Sequence, residues 1–185
     1  MKIDATLYSG RPAEKRIDKE ERCYDLLEKL GIEFCRVDHD YADHIDDCHE
    51  VEKILGCKIC KNLLLTNRQQ TELYLLLMPG DKPFKTKVLS KQIGTARLSF
   101  GTPEQMLSAL DITPGSVSVL GLMNDREGRV HLLVDRDLQG EEYFGCHPCI
   151  NSSSLRIRSA DVFEKLIPAM GHELRWVDLP WELDE

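Results

Sequence analysis

The sequence predicts an α+β fold: a single domain over residues 1–185, with a mixed, largely antiparallel, curved sheet and helices around it. Two observations predict this. Short apolar runs come in pairs across polar turns: "CKNLLLTN" and "ELYLLLMP" across "RQQT", then "VSVLGLMN" and "VHLLVD" across "DREG". Each pair reads as a hairpin of buried strands. Between and around them lie segments with helical spacing of apolar residues, several stopped by glycine. No repeat or Pro/Ser-rich linker divides the chain.

Taken in order, "DKEERCYDLLEKLG" places Cys23, Leu26, Leu27 and Leu30 on one helical face, with Gly31 as the stop. "IEFCRVDH" alternates as a strand. "DDCHEVEKILG" is a second helix carrying Val51, Ile54 and Leu55 on one face. After the first hairpin, "KTKVLSKQIG" is helical up to Gly94, and "ARLSFG" is a short strand. "TPEQMLSALD" has a threonine N-cap, proline at the first helical position and acid in the first turn. "SLRIRS" is a strand, "SADVFEKLIPAMG" a last helix and "HELRWVDL" a final strand. Lys61 at a strand start, "TPGSVSV" after a helix and "GCHPC" between strands fall at the seams, where functional residues concentrate.

The 185 residues are 42% hydrophobic and 30% charged, the balance of a globular chain with a substantial core. No apolar run is long enough to span a membrane, and the N-terminus lacks the apolar core of a secretory signal. A cytoplasmic protein with mostly reduced thiols is expected, and an odd count of seven cysteines fits a disulfide framework poorly. The net charge of −8 argues against a general nucleic-acid coat, and neither a DNA nor a membrane partner is expected. One basic stretch stands out, "GDKPFKTKVLSKQIGTAR", with Lys82, Lys85, Lys87, Lys91 and Arg97 against only Asp81. A solvated helix face is the plainer reading of such a run.

Two CxxC pairs, Cys57/Cys60 and Cys146/Cys149, are a donor set for structural zinc. Their separation is far longer than a zinc ribbon's, and Cys60 leads into a buried strand, so packing roles and no metal or other cofactor are expected. Neither pair opens a helix after a strand, which disfavours thioredoxin-like chemistry. Cys146 and His147 are adjacent in an extended segment and point apart, which disfavours a thiol–imidazole nucleophile. His39, His44 and His49 lie among acids; Asp46 and Asp47 there read more simply as helix-capping residues than as metal ligands. "GSVSV" lacks the second glycine of a nucleophile elbow, yet its backbone amides suit an anion or carbonyl oxygen.

The ordered blocks "CKNLLLTN", "YLLLMPGDKPFKTKVLSKQIGTARLSF", "TPGSVSVLGLMND", "VHLLVD" and "FGCHPCINSSSLRI" resemble the freestanding prolyl-tRNA editing domains, the YbaK-like aminoacyl-tRNA deacylases. The resemblance runs from about His39 to the last strand. It implies that family's fold and trans-editing hydrolysis of mischarged tRNA(Pro), with Ala-tRNA(Pro) the expected substrate and Cys-tRNA(Pro) the alternative. By the same resemblance, Lys61, Asn62, His147 and Gly115 are catalytic, and Ser116, Val117, Ser118 and Val119 bind substrate. The loop departs from the family's Gly-x-x-x-Pro, because Val119 stands at the last position. The implied partner is the acceptor end of tRNA(Pro), with prolyl-tRNA synthetase a second partner. Because an acidic chain must concentrate its positive charge to approach RNA, Lys82, Lys85, Lys87, Lys91 and Arg97 are expected to grip that end. Rival readings are a non-catalytic module binding tRNA or the synthetase, and a zinc-stabilised interaction domain.

Overall fold

Two sheets, rather than one, organise the chain in this computed structural model, which describes residues 1–42 and 45–184. The first sheet is antiparallel throughout, in the order β1 (Tyr8–Ser9), β2 (Phe34–Asp38), β8 (Ser153–Arg158), β7 (Tyr143–Cys146). The second is mixed, in the order β5 (Ser99–Phe100), β3 (Lys61–Thr66), β4 (Leu73–Met78), β6 (Val130–Asp135), β9 (Leu174–Val177). In it β3 pairs antiparallel with β4 and β5, whereas β4–β6 and β6–β9 are parallel.

The apolar runs of β3, β4 and β6 are explained by burial on both faces, since successive strand residues point to opposite sides. Leu64, Leu75, Leu77, Leu132 and Val134 enter the main core between the sheets. Their neighbours Leu65, Leu76, Met78 and Leu133 pack on the other side against Leu89 of α3 (Thr86–Ile93) and Leu98. The main core also takes Cys23, Tyr24 and Leu27 of α1 (Asp18–Lys29) and Ala109 and Leu110 of α4 (Pro103–Leu110). Thr102 and Gln105 complete the expected N-terminus of α4 as a reciprocal capping box. On the far face of the first sheet, Val51 and Leu55 of α2 (Ile45–Leu55) cover Val37 and Ile59. Beyond β8 come α5 (Ser159–Asp161), a π-helical turn Val162–Leu166 and α6 (Ile167–Ala169).

One expected hairpin is absent. Val119–Asn124 forms a 3-10 turn instead of a strand, and β6 joins β4 in parallel. Short apolar runs do not distinguish strand from buried helix by pattern alone. Here Ser118 decides the matter by accepting the Leu120 amide through its hydroxyl (3.2 Å). Gly121 then packs so closely on Ile112 and Leu110 that a Cβ would come within 2.6 Å of Ile112.

The two sheets meet through the segments that hold the CxxC pairs. Ile59 and Gly145 form a parallel bridge, and the Cys60 amide donates to the Gly145 carbonyl (3.0 Å). A side chain at Gly145 would put its Cβ 2.4 Å from the Lys58 carbonyl oxygen, so only glycine permits this approach. The junction brings the start of β3 beside the end of β7.

Candidate functional site

A cavity of about 520 Å³ opens at that junction. Its walls come from the first residues of β3 (Lys61, Asn62), the Gly115 loop, His147 just past β7, and the apolar side chains of Phe100 and Met106. Segments distant in sequence thus converge on one concavity, and both strand-borne side chains project from a rigid pair of hydrogen-bonded strands.

Lys61 is partly buried. Its ammonium donates to the Lys82 carbonyl (2.7 Å), which fixes the chain's direction. Burial pulls its pKa below the ordinary lysine value, and Asp81 offsets this in part. Asp81 lies on the same wall and is ion-paired to Lys58 (2.9 Å). Next along the strand, the Asn62 amide nitrogen donates to the Cys60 carbonyl (3.0 Å), while its oxygen is buried without a partner among the described residues. A buried unpaired acceptor costs free energy, and the residue that carries this one lines the cavity.

His147 donates from Nδ1 to the Ser153 carbonyl (2.9 Å). A carbonyl can only accept, so Nδ1 carries the proton and Nε2 carries the lone pair. Burial lowers the imidazole pKa, with a smaller upward pull from the Ser153 carbonyl, so the ring is neutral at pH 7.

Gly115 has φ +88°, a conformation suited to glycine, and sits at the tip of the loop. The amides of Gly115 and Val117 find no protein acceptor among the described residues, whereas the Ser116 amide donates to Thr113 (3.2 Å). Only Gly115 and Val117 of the loop line the cavity. Ser116, Ser118 and Val119 are fully buried; Ser118 caps the 3-10 turn and Val119 belongs to the main core. The position where the resemblance leads one to expect proline is thus a packing position.

The basic run separates into two parts. Lys85, Lys87, Lys91 and Arg97 are exposed on and after α3, with Lys85 also donating to the Asp184 carbonyl (3.2 Å). Lys82 does not join them, a correction to its expected place in a tRNA grip. Its side chain is wholly buried, bonded to Asp135 (2.8 Å), Asp137 (2.7 Å) and the Leu179 carbonyl (2.7 Å), and it lies over the Trp181 ring.

Of the four CxxC thiols, Cys60, Cys146 and Cys149 are buried and Cys57 is half-buried. No group of three or more metal-ligating side chains converges among the described residues. Cys60 borders the cavity, but burial pushes its thiol up to about 12, so it is no nucleophile at neutral pH. In the histidine-rich stretch, His39 is buried against Ser154, His49 is exposed on the cavity wall, and His44 lies outside the described residues.

This arrangement has known counterparts. Residues 39–165 match the aminoacyl-tRNA editing domain. The chain belongs to that family. The editing domain is therefore an aminoacyl-tRNA deacylase, a hydrolase of a family that acts on mischarged tRNA. It is 27% identical over 163 residues to the prolyl-tRNA editing protein ProX of Acetoanaerobium sticklandii, covering 88% of this chain and 99% of that protein. It is 26% identical to the prolyl-tRNA synthetase associated domain-containing protein 1 of Danio rerio, covering 89% and 90%. A crystal structure described as a candidate trans-editing enzyme for prolyl-tRNA synthetase shares its fold, with a TM-score of 0.65 and 16% identity over 90% of this chain and 100% of that one. No described helix of the editing domain is long and apolar enough to cross a membrane.

Sequence reasoning missed Phe100, which is 60% exposed at the cavity rim in edge-to-face contact with Phe84. The alternation of "ARLSFG" marks a strand but says nothing of what its face adjoins. It also missed Gly80, where a Cβ would come within 2.6 Å of the Ile59 carbonyl and close the cavity wall. The glycine in "MPGDK" reads as an ordinary turn residue.

Proposed function

We propose that this deacylase hydrolyses the ester of mischarged tRNA(Pro), with Ala-tRNA(Pro) preferred, releasing the amino acid and free tRNA. The observation that carries the reading is the convergence of Lys61, Asn62, His147 and the free amides of Gly115 and Val117 on one cavity without an activated nucleophile. An aminoacyl ester is already activated, so its hydrolysis needs a held water and donors for the growing oxyanion. Water attacks the carbonyl carbon, and the oxyanion is taken up by the Gly115 and Val117 amides. The bond to the ribose oxygen then breaks, and that oxygen leaves with a proton.

In this reading Lys61 supplies positive charge on the phosphate and ribose side. The Asn62 oxygen accepts an N–H or O–H of the substrate, and the His147 Nε2 lone pair accepts another. The vicinal ribose hydroxyl assists the water, since the two carboxylates that line the cavity are engaged elsewhere, Glu52 by the Ile59 amide (2.9 Å) and Asp81 by Lys58 (2.9 Å). Lys85, Lys87, Lys91 and Arg97 hold the acceptor end. Prolyl-tRNA is supported by the names of the two relatives, and alanine by the order of sequence blocks, which resembles the alanine-editing branch. Editing meets a need that binding alone does not, since small apolar side chains differ too little in affinity. A deacylation panel with Ala-, Cys-, Ser- and Pro-tRNA(Pro) tests the reading, with Ala-tRNA(Pro) expected to be hydrolysed fastest and Pro-tRNA(Pro) spared. Faster hydrolysis of Cys-tRNA(Pro) overturns the alanine preference, and no hydrolysis of any member overturns the tRNA(Pro) assignment.

A further inference from the structure

His39 and His147 stand edge to face with ring centres 6.2 Å apart, and Ser154 lies between them. The hydrogen-bond directions in this group follow from the carbonyls at its two ends. His39 Nδ1 donates to the Asp40 carbonyl (2.7 Å), so His39 Nε2 is an acceptor in the neutral ring and takes the Ser154 hydroxyl proton (2.9 Å). With its proton committed to His39, the Ser154 oxygen is left as an acceptor facing His147 Nδ1 at 3.3 Å. His147 Nδ1 also donates to the Ser153 carbonyl (2.9 Å). Both ends of the chain are thus pinned by backbone carbonyls, which never donate. His39 is itself held in place, because its amide donates to the Ser152 carbonyl (3.0 Å) and its side chain is almost wholly buried.

We propose that His39 is a positioning residue: acting through Ser154, it holds His147 as the Nδ1–H tautomer, with the Nε2 lone pair presented to the cavity. The other tautomer places a lone pair at Nδ1 against the Ser153 carbonyl and the Ser154 lone pair, and turns an N–H toward the substrate. A neighbouring group that selects a tautomer acts without touching substrate, as carbonyl and carboxylate partners do for histidines elsewhere. This inference rests on the deacylase reading only for its consequence in rate. The tautomer itself is observable in the free protein.

The test is a long-range proton–nitrogen correlation spectrum of the histidine rings at neutral pH, on the wild type and on His39→Gln, His39→Leu and Ser154→Ala. Each protein is also assayed by single-turnover deacylation of Ala-tRNA(Pro). The wild type is expected to show His147 protonated at Nδ1 and bare at Nε2. Gln, whose terminal amide oxygen reaches the place of Nε2, should preserve that pattern and a near-normal rate. His39→Leu frees the Ser154 hydroxyl to turn its proton toward His147 Nδ1, in competition with the Ser153 carbonyl. It should give mixed tautomers and a rate constant lower by about tenfold, with substrate affinity within about twofold. Ser154→Ala, which leaves the Ser153 carbonyl alone on Nδ1, should keep the Nδ1–H tautomer. A wild-type His147 protonated at Nε2 overturns the proposal whatever the variants do, so a variant that fails to fold does not shelter it. An unchanged His147 spectrum in a folded His39→Leu protein overturns it as well. Mixed tautomers with unchanged hydrolysis would uphold the positioning role and overturn the reading of His147 as a substrate-facing acceptor.

Discussion

Lys61 and Lys82 lie close enough that the ammonium of one bonds the backbone carbonyl of the other, yet they solve opposite problems. Lys82 is enclosed: two carboxylates, a carbonyl and an indole face surround its ammonium. Burial alone would lower its pKa, but the hydrogen bonds to Asp135 and Asp137 outweigh it and the pKa is raised. Lys61 has one carbonyl and the charge of an Asp81 already paired to Lys58, and burial lowers its pKa. The first lysine is saturated and ties the C-terminal segment to β6. The second keeps unspent hydrogen-bonding capacity at the edge of a cavity. A cation whose partners are all internal serves the fold, and one left short of partners serves a ligand.

The largest effect that would sharpen this contrast is on stability. Lys82→Met should cost about 3 kcal/mol, because it strands the buried carboxylate of Asp135 without a counterion. Urea unfolding measures this, and a loss under about 1 kcal/mol would break the contrast. The pH dependence follows from Asp137, whose carboxyl the Lys82 hydrogen bond holds below its ordinary value of 3.8. A depressed carboxylate stabilises fully above its unfolded pKa, and the benefit drains as pH falls through the folded one. Acid unfolding of the wild type should therefore steepen below about pH 4, and Lys82→Met should flatten that limb.

A smaller effect concerns His147. Its imidazole is held neutral by burial, below the usual 6.5. Deacylation should stay flat as pH drops from 8 through 6.5 and decline only below it. His147→Ala should lower the rate by about tenfold and abolish that acid limb. A limb centred above 6.5 would contradict the buried, neutral ring. The smallest effect belongs to the exposed end of the basic run. Lys85→Glu with Lys87→Glu should weaken tRNA binding several-fold at low salt and reduce the salt dependence of binding by about two charges' worth. Equal affinity at low salt would remove α3 from the tRNA path.

How legible all this was in the sequence varied with the range of the interaction. The helices were readable because their signals are local: Gly94 in the left-handed conformation ends α3, and Thr102 with Gln105 starts α4. The β3–β4 hairpin was readable for the same reason. The division into two sheets was not, because it depends on the contact of Gly145 with Lys58 and Ile59, far apart in the chain. The same holds within the site. Lys61, Asn62, Gly115 and His147 were named through family resemblance, and all four line the cavity. Lys82 was misread because its carboxylate partners lie more than fifty positions downstream, so the local sequence shows only a basic run. The role of Ser118 was hidden by a loop whose spacing suits either an anion site or the start of a 3-10 turn.

The most direct test of the central claim, that the β3 lysine is the cation left for the substrate, is single-turnover hydrolysis of Ala-tRNA(Pro) by Lys61→Ala alongside its thermal melting. Removing one preorganised donor at a developing oxyanion costs about 100- to 1,000-fold, and less where the group mainly holds phosphate. The account predicts at least roughly tenfold slower hydrolysis, short of the full oxyanion-donor effect because Lys61 stands on the phosphate and ribose side, with stability within about 1 kcal/mol of wild type. A well-folded Lys61→Ala protein that hydrolyses Ala-tRNA(Pro) at the wild-type rate would contradict it.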